Sequence, residues 1–326
     1  MKLGIDIMGG DYAPEATIDG VLLAINELPS DVNIVLFGDE NIIKTKLIDK
    51  KSSSTSFEVV HCSDIIGMGE KPTKALLQKP NSSIAKAFSY LAQKKIDAFA
   101  SAGNTGAMVV GAMFSLGTIQ GVLRPCITTL LPKEKGGVGL LLDVGANPDC
   151  KPENLKQFAI IGDLYAKNVL NIQQPKIALL NIGEEEEKGN ILSLAAFNLL
   201  KETQKINFIG NAEGHNLFGD KADVFVCDGF TGNIALKACE AMYTLTLKRG
   251  IKDEYFNRFN YENYGGTPIL GIDSTVIIGH GISNSKAIKN MIMLTYNVFK
   301  AKMPHKIQEA LSEYIENKNN INDAKN

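Results

Sequence analysis

A chain of 326 residues, 44% of them hydrophobic, with a formal net charge of -2, can bury a large core and has no basic excess with which to gather nucleic acid. No apolar run is long enough to cross a bilayer, and the first residues enter a strand without the features of a secretory signal, so cytoplasmic residence is expected. Five cysteines without C-x-x-C, and four scattered histidines without H-E-x-x-H or Cys/His ligand spacing, predict reduced thiols and no recognisable metal site.

In chain order, apolar runs at 2–8, 33–37, 57–61, 96–101, 138–144, 176–182, 207–209, 223–227 and 275–279 predict strands, separated by longer segments of helical periodicity. Repeated strand–helix units with almost continuously apolar strands predict an α/β protein, its mostly parallel sheet covered on both faces. Composition shifts little before the end, so one α/β domain is expected over 1–316, its lobes undivided by sequence, with a polar, disordered tail at 317–326. Residues 50–56 read as a surface loop, and there is no solenoid repeat.

Ligands of such folds gather at the carboxyl ends of strands, which makes the turns there the candidates. In Asp6-Ile7-Met8-Gly9-Gly10-Asp11 a strand closes on Gly9 and Gly10; Asp11 is a turn residue or a positioning one, and Pro14 suits the first turn of the next helix. Ser101-Ala102-Gly103-Asn104-Thr105-Gly106-Ala107 is the clearest signal. Its small residues let backbone N–H groups approach an anion at a helix N-terminus, or it is a tight turn capped by Asn104 or Thr105. Asp143, in Leu142-Asp143-Val144-Gly145-Ala146-Asn147, falls inside a predicted buried strand, where an unpaired carboxylate is costly and therefore has a partner or a role.

Asn181-Ile182-Gly183-Glu184-Glu185-Glu186-Glu187-Lys188-Gly189 is acidic. Glu186 and Glu187 read as a solvated helix start, while Glu185 and Lys188 are the better functional candidates. Asp228-Gly229-Phe230-Thr231-Gly232-Asn233 and Gly279-His280-Gly281-Ile282-Ser283-Asn284 repeat the order strand, turn, helix, so the three glycine-bearing turns are expected to converge. His280 between two glycines is either a structural residue or a functional one. Gly67-Met68-Gly69 lacks the third glycine of a dinucleotide fingerprint and no P-loop is present, which removes the main support for nicotinamide or P-loop nucleotide binding.

Together these residues resemble the bacterial phosphate acyltransferases of the PlsX family, over the whole chain up to the tail. The resemblance rests on blocks in the right order: Asp6–Asp11, Ser101–Ala107, Asp143–Asn147, Asn181–Glu185 with Lys188-Gly189, Asp228–Asn233, Tyr264-Gly265-Gly266 and Gly279-His280-Gly281. It implies an α/β/α sandwich akin to phosphate acetyltransferases and isocitrate dehydrogenases, a homodimer, and no cofactor or metal. The implied reaction moves a fatty acyl group from acyl carrier protein to inorganic phosphate, giving acyl phosphate for phospholipid synthesis. The implied partners are inorganic phosphate, a long-chain acyl carrier protein, a downstream glycerol-phosphate acyltransferase and a weak peripheral contact at the inner face of the membrane. Two departures stand out. Met68-Gly69-Glu70-Lys71-Pro72 and the residues to Ser83 carry less positive charge than the family pattern, and the segment between Leu247 and Tyr264 is polar and shorter than the hydrophobic hairpin associated with membrane docking.

Phosphate at neutral pH is a competent nucleophile, and a thiol with a pKa of about 8.5 leaves without strong acid help, so such an enzyme mainly positions and polarises. The expected phosphate ligands are Gly103, Asn104, Thr105 and Gly106 with Thr231, Gly232 and Asn233. Lys188 or His280 balances charge at the carbonyl oxygen, with Asp143 and Asp228 orienting the donors. Asp6, Gly9, Gly10, Asp11, Asn147 and Glu185 position the substrate. No cysteine or serine sits in a nucleophile elbow, consistent with direct attack by phosphate. Lys71, Lys74 and Lys79 are candidates to meet an acidic carrier protein, or are ordinary solvated lysines. The rival readings are a short-chain enzyme using a coenzyme A thioester, a β-decarboxylating dehydrogenase of related fold, and a non-catalytic phosphate-binding protein.

Overall fold

The structure, a computed structural model, describes residues 1–51 and 57–312, so most of the 50–56 loop and the whole of the expected 317–326 tail lie outside the described residues. The chain forms two compact units, 1–117 with 261–300, and 118–260 with 301 onward. The even composition over 1–316 gives no sign of this division, because each unit buries the same kind of sheet.

The strands are β1 (Lys2–Asp6), β2 (Asn33–Gly38), β3 (Glu58–His61), β4 (Ala98–Ser101), β5 (Cys126–Pro132), β6 (Val138–Leu142), β7 (Lys176–Leu180), β8 (Asn207–Ala212), β9 (Val224–Val226), β10 (Thr267–Leu270) and β11 (Thr275–Ile278). The helices are α1 (Glu15–Ala24), α2 (Glu40–Asp49), α3 (Pro72–Gln78), α4 (Ser83–Ala92), α5 (Thr105–Leu116), α6 (Pro152–Asn168), α7 (Ile191–Lys201), α8 (Gly229–Lys248), α9 (Glu254–Asn257) and α10 (Ser285–Lys300), followed by a helix over 303–312.

In the first unit the strand order is β3-β2-β1-β4-β11-β10, parallel except for β10 against β11. Leu3, Ile5, Leu36, Phe37, Phe99 and Ile277 are fully buried, as expected for strands covered on both faces. Helix α4 lays Ile84, Ala87, Phe88 and Leu91 on the sheet at helical spacing, and Phe88 meets Phe99 edge to face at 5.2 Å. Helix α10 does the same with Ala287, Ile288, Met291 and Ile292, against α1 as well as the sheet.

In the second unit the order is β5-β6-β9-β7-β8, parallel except for β5 against β6. Helix α6 covers it with Leu155, Phe158, Ala159, Ile161 and Tyr165. The mostly parallel α/β architecture is thus the expected one. Sequence reading missed β5 and β10, both antiparallel to their neighbours and both containing proline or threonine pairs that interrupt an apolar run. One predicted boundary changes the site. Strand β6 ends at Leu142, so Asp143 stands just beyond the strand instead of inside it, although its side chain is fully buried. Among the described residues no helix is long and apolar enough to cross a membrane.

Candidate active site

At the carboxyl edge of the first sheet a network of hydrogen bonds joins β1 to β4. Asp6, 1% exposed, accepts the Ser101 hydroxyl on Oδ2 at 2.6 Å and the Met8 amide on Oδ1 at 3.0 Å. Ser101 Oγ in turn accepts the Gly103 N–H at 2.9 Å. Burial pushes the Asp6 carboxyl above its ordinary range, and hydrogen bonds from Ser101, Ser83, Met8 and Gly9 pull it partly back. Gly9 fits this knot because it has no side chain: a Cβ there would stand 2.4 Å from Asp6 Oδ2 and 2.7 Å from Gly103 N. Gly10 has φ +107 and lies against Gly281 O, which also accepts the Asp11 N–H at 2.8 Å, so the turn after β11 joins the same cluster.

The turn after β4 uses most of its polar groups internally. Asn104 caps α5 by accepting the Ala107 N–H at 3.0 Å, and its Nδ2 donates to the carbonyls of Gly67, Met68 and Glu70 at 3.0, 3.1 and 3.1 Å. The Gly103 amide is committed to Ser101. Of the expected phosphate ligands in this unit, Thr105 and Gly106 remain: their amides open α5 with no carbonyl above them, and Thr105 is exposed. His280 follows β11, its ring 5.2 Å from that of Tyr261, whose hydroxyl donates to Ile282 O at 2.9 Å.

The second unit builds a related knot from different groups. Asp143 accepts the amides of Ile127 at 2.9 Å, Ala146 at 3.2 Å and Asn147 at 2.7 Å, and the Asn147 side-chain amide at 2.8 Å. Burial pushes its carboxyl up and these four donors oppose the shift. Asn147 also donates to Pro125 O at 2.7 Å, and its own carbonyl accepts the Gly229 N–H at 2.8 Å, which seats the start of α8 on the turn after β6. A Cβ at Gly232 would stand 1.9 Å from the Asp143 carbonyl oxygen, so only glycine permits this approach. Asp228 caps α8, accepting the Thr231 N–H and hydroxyl, both at 2.9 Å. The Gly232 amide bonds back to Asp228 O, while among the described residues the exposed Asn233 side-chain amide, beside Gly145, enters no hydrogen bond.

One strand over from β9, the turn after β7 is tied down by two asparagines. Asn181 Nδ2 donates to Lys188 O at 3.0 Å and Asn211 Nδ2 to Glu185 O at 2.8 Å. Glu184 pairs with Lys221 and Glu186 with Lys201, and among the described residues the exposed Lys188 ammonium enters no ion pair. Sequence reading missed Ser101, Ser83, Asn181 and Asn211 as the residues that fix these turns. Ser101 stands next to a recognised turn; Asn211 lies on a strand with no local signal. Of the three turns expected to converge, those after β4 and β11 lie together in the first unit, joined there by the turn after β1, while the Asp228 turn belongs to the second unit.

The cysteines and the lysines of the 71–79 stretch take definite places as well. All five cysteines are free thiols, and burial pushes Cys62 up to about 12 and Cys150 up to about 11, Cys126 and Cys227 well above the usual thiol range and Cys239 above it, so none is a ready nucleophile. Lys79 is not a free surface lysine: its ammonium donates to Glu70 Oε1 at 2.5 Å and Ile65 O at 2.8 Å. Lys71 and Lys74 are exposed. Among the described residues no cluster of His, Cys, Asp and Glu is suited to hold a metal.

The fold is that of the phosphotransacetylases: it overlays on the phosphotransacetylase of Streptococcus pyogenes with a TM-score of 0.66 over 92% of this chain and 94% of that one, at 15% identity. In sequence, residues 1–306 match the family described as fatty acid synthesis protein. The chain is 45% identical to the phosphate acyltransferase of Dictyoglomus thermophilum and 43% identical to that of Dictyoglomus turgidum, each over 96% of this chain and 98% of the relative. The chain belongs to this phosphate acyltransferase family, the PlsX family, and is an acyltransferase.

Proposed function

We propose that the enzyme transfers a long-chain acyl group from the thioester of acyl carrier protein to inorganic phosphate. The observation that carries this reading is the first turn of α5, where the Thr105 hydroxyl and the amides of Thr105 and Gly106 stand uncommitted under a neutral Asn104 cap. A helix N-terminus of that kind favours an anion. The turn that opens α8 suits phosphate less well, because the Asp228 carboxylate already caps it and occupies Thr231. There the Asn233 amide is assigned to the thioester carbonyl, with Lys188 or His280 balancing the charge that develops on its oxygen.

In the reaction a phosphate oxygen bonds to the carbonyl carbon, the C–S bond breaks, and the carrier leaves as a thiolate that takes up a proton from solvent. The buried, high-pKa cysteines support direct attack over a covalent acyl-enzyme. Asp6, Gly9, Gly10, Asp11 and Asp143, Asn147, Asp228, Glu185 act by holding the turns. A cytoplasmic homodimer is part of this reading, and α8 leaves Phe230, Ile234, Leu245 and Leu247 exposed for a partner copy to cover. Membrane docking through the segment before Tyr264 finds little support, since that stretch holds only α9, of four residues, and a short 3-10 turn.

The test is to incubate the purified chain with palmitoyl carrier protein and phosphate and to follow free thiol. Phosphate-dependent release is expected. Release from acetyl-coenzyme A alone would point to the short-chain reaction instead, and no release from either would overturn the reading.

A further inference from the structure

On the assumption that the donor is an acyl carrier protein, we propose that the carrier docks on a surface formed by α3 and the last turn of α5, with Lys71 and Lys74 as its charges and Leu77 and Phe114 as its apolar anchors. Helix α3 buries Ala75 and turns Lys71, Lys74 and Leu77 outward at spacings of three, so they form one stripe. Leu77 is 79% exposed and Phe114 80%, the latter beside exposed Met113. Among the described residues neither Lys71 nor Lys74 enters an ion pair, and large apolar side chains left this exposed on two helices that pack together are of the kind a partner covers. Residues 71–79 and 105–116 contain no acidic residue, and the nearby Glu70 is consumed by Lys79 and the Gly67 amide. The surface is therefore positive and apolar, complementary to an acidic carrier domain.

Its position suits the chemistry. Helix α3 packs against α5, and Pro72 at its start presses on Gly106, with only 2.4 Å between Pro72 Cγ and a Cβ placed at Gly106. Lys71 therefore adjoins the turn assigned to phosphate, and Phe114 stands about 14 Å further along α5, a distance that the carrier's flexible prosthetic arm has to span in any case. Lys79, the third lysine of the stretch, is excluded because it is tied to Glu70.

The experiment measures binding of holo carrier protein to the full chain at low salt, by calorimetry, beside thermal melts that confirm folding. Lys71→Glu/Lys74→Glu and, separately, Leu77→Ser/Phe114→Ser are each expected to weaken binding by about tenfold or more, with the wild-type affinity falling steeply as salt is added. Lys71→Arg/Lys74→Arg is expected to restore it. Affinity within twofold of wild type in either of the first two variants overturns the proposal, as does a change in sedimentation of the Phe114 variant with unaltered carrier binding, which would make this a contact between copies of the chain. Wild-type protein that releases thiol from acyl-coenzyme A but binds no carrier would also overturn it while leaving phosphate transfer standing. Failure to release thiol from any thioester would strike at the functional reading instead.

Discussion

Asp6 and Asp143 each stand at the carboxyl end of an internal strand, one in each unit, and each gathers a turn around a buried carboxylate. Their partners differ. Asp6 accepts the Met8 N–H on one oxygen but meets on the other the Ser101 hydroxyl, which can donate or accept, whereas Asp143 faces four N–H groups that can only donate. A proton on Asp6 Oδ2 would therefore face an oxygen able to accept it. A protonated Asp143 would point its O–H at a donor, so its four N–H partners favour the carboxylate, against the burial that raises its pKa. The caps differ in the same sense. Neutral Asn104 opens α5 and leaves that helix start to an anion, while anionic Asp228 opens α8 and repels one. The start of α5 thus suits an anion better than the start of α8 does.

The largest effect should come from the donors of the second unit. Asn233→Ala and Lys188→Met are each expected to cut kcat about 100-fold at saturating phosphate, the scale of losing one donor to a developing oxyanion. If they raise only the phosphate KM, these two groups serve phosphate and not the thioester carbonyl. Asp143→Asn should destabilise the chain by about 3 kcal/mol in urea unfolding, because the new NH2 confronts groups that cannot accept. Loss of less than about 1 kcal/mol would mean that the four N–H groups find other partners.

Thr105→Val should raise the phosphate KM about tenfold with little change in kcat, as expected for a ground-state ligand. An unchanged KM removes the α5 turn from the phosphate site. The smallest effect is expected for Asp6→Asn, about 1 kcal/mol at neutral pH, since a hydroxyl can turn to suit an amide. Its pH dependence carries more information than its size. Native Asp6 binds a proton more tightly than in the unfolded chain, where its pKa is near 3.8, so its contribution grows as pH falls through the raised value and is lost as pH rises. Asparagine has no such dependence, and the deficit of Asp6→Asn should widen on acidification. A deficit that narrows would show that Asp6 is stabilised as the anion.

Much of the chain could be read before folding was considered. Apolar runs located nine of the strands, and the turns that end them were found by their glycines and by Asn104, which the reading already allowed as a cap. Those features are local, set by side-chain period and by turn chemistry within a few residues. The same is true of the blocks that marked the family, each a short string around one strand end.

What only the tertiary structure decided was where the polar groups of those turns point. The Gly103 amide and the Asn104 side chain were expected to face an anion, yet they face Ser101 and the 67–70 turn; Lys79 was expected to meet a carrier protein or solvent and is tied to Glu70. Strands β5 and β10 needed antiparallel neighbours to exist at all. The reason is distance along the chain. Asp6 and Ser101 are 95 residues apart and still bond directly, and no local pattern records which distant donor a buried carboxylate will find. Periodicity determines that a turn exists, whereas packing determines which of its hydrogen bonds are left for a ligand.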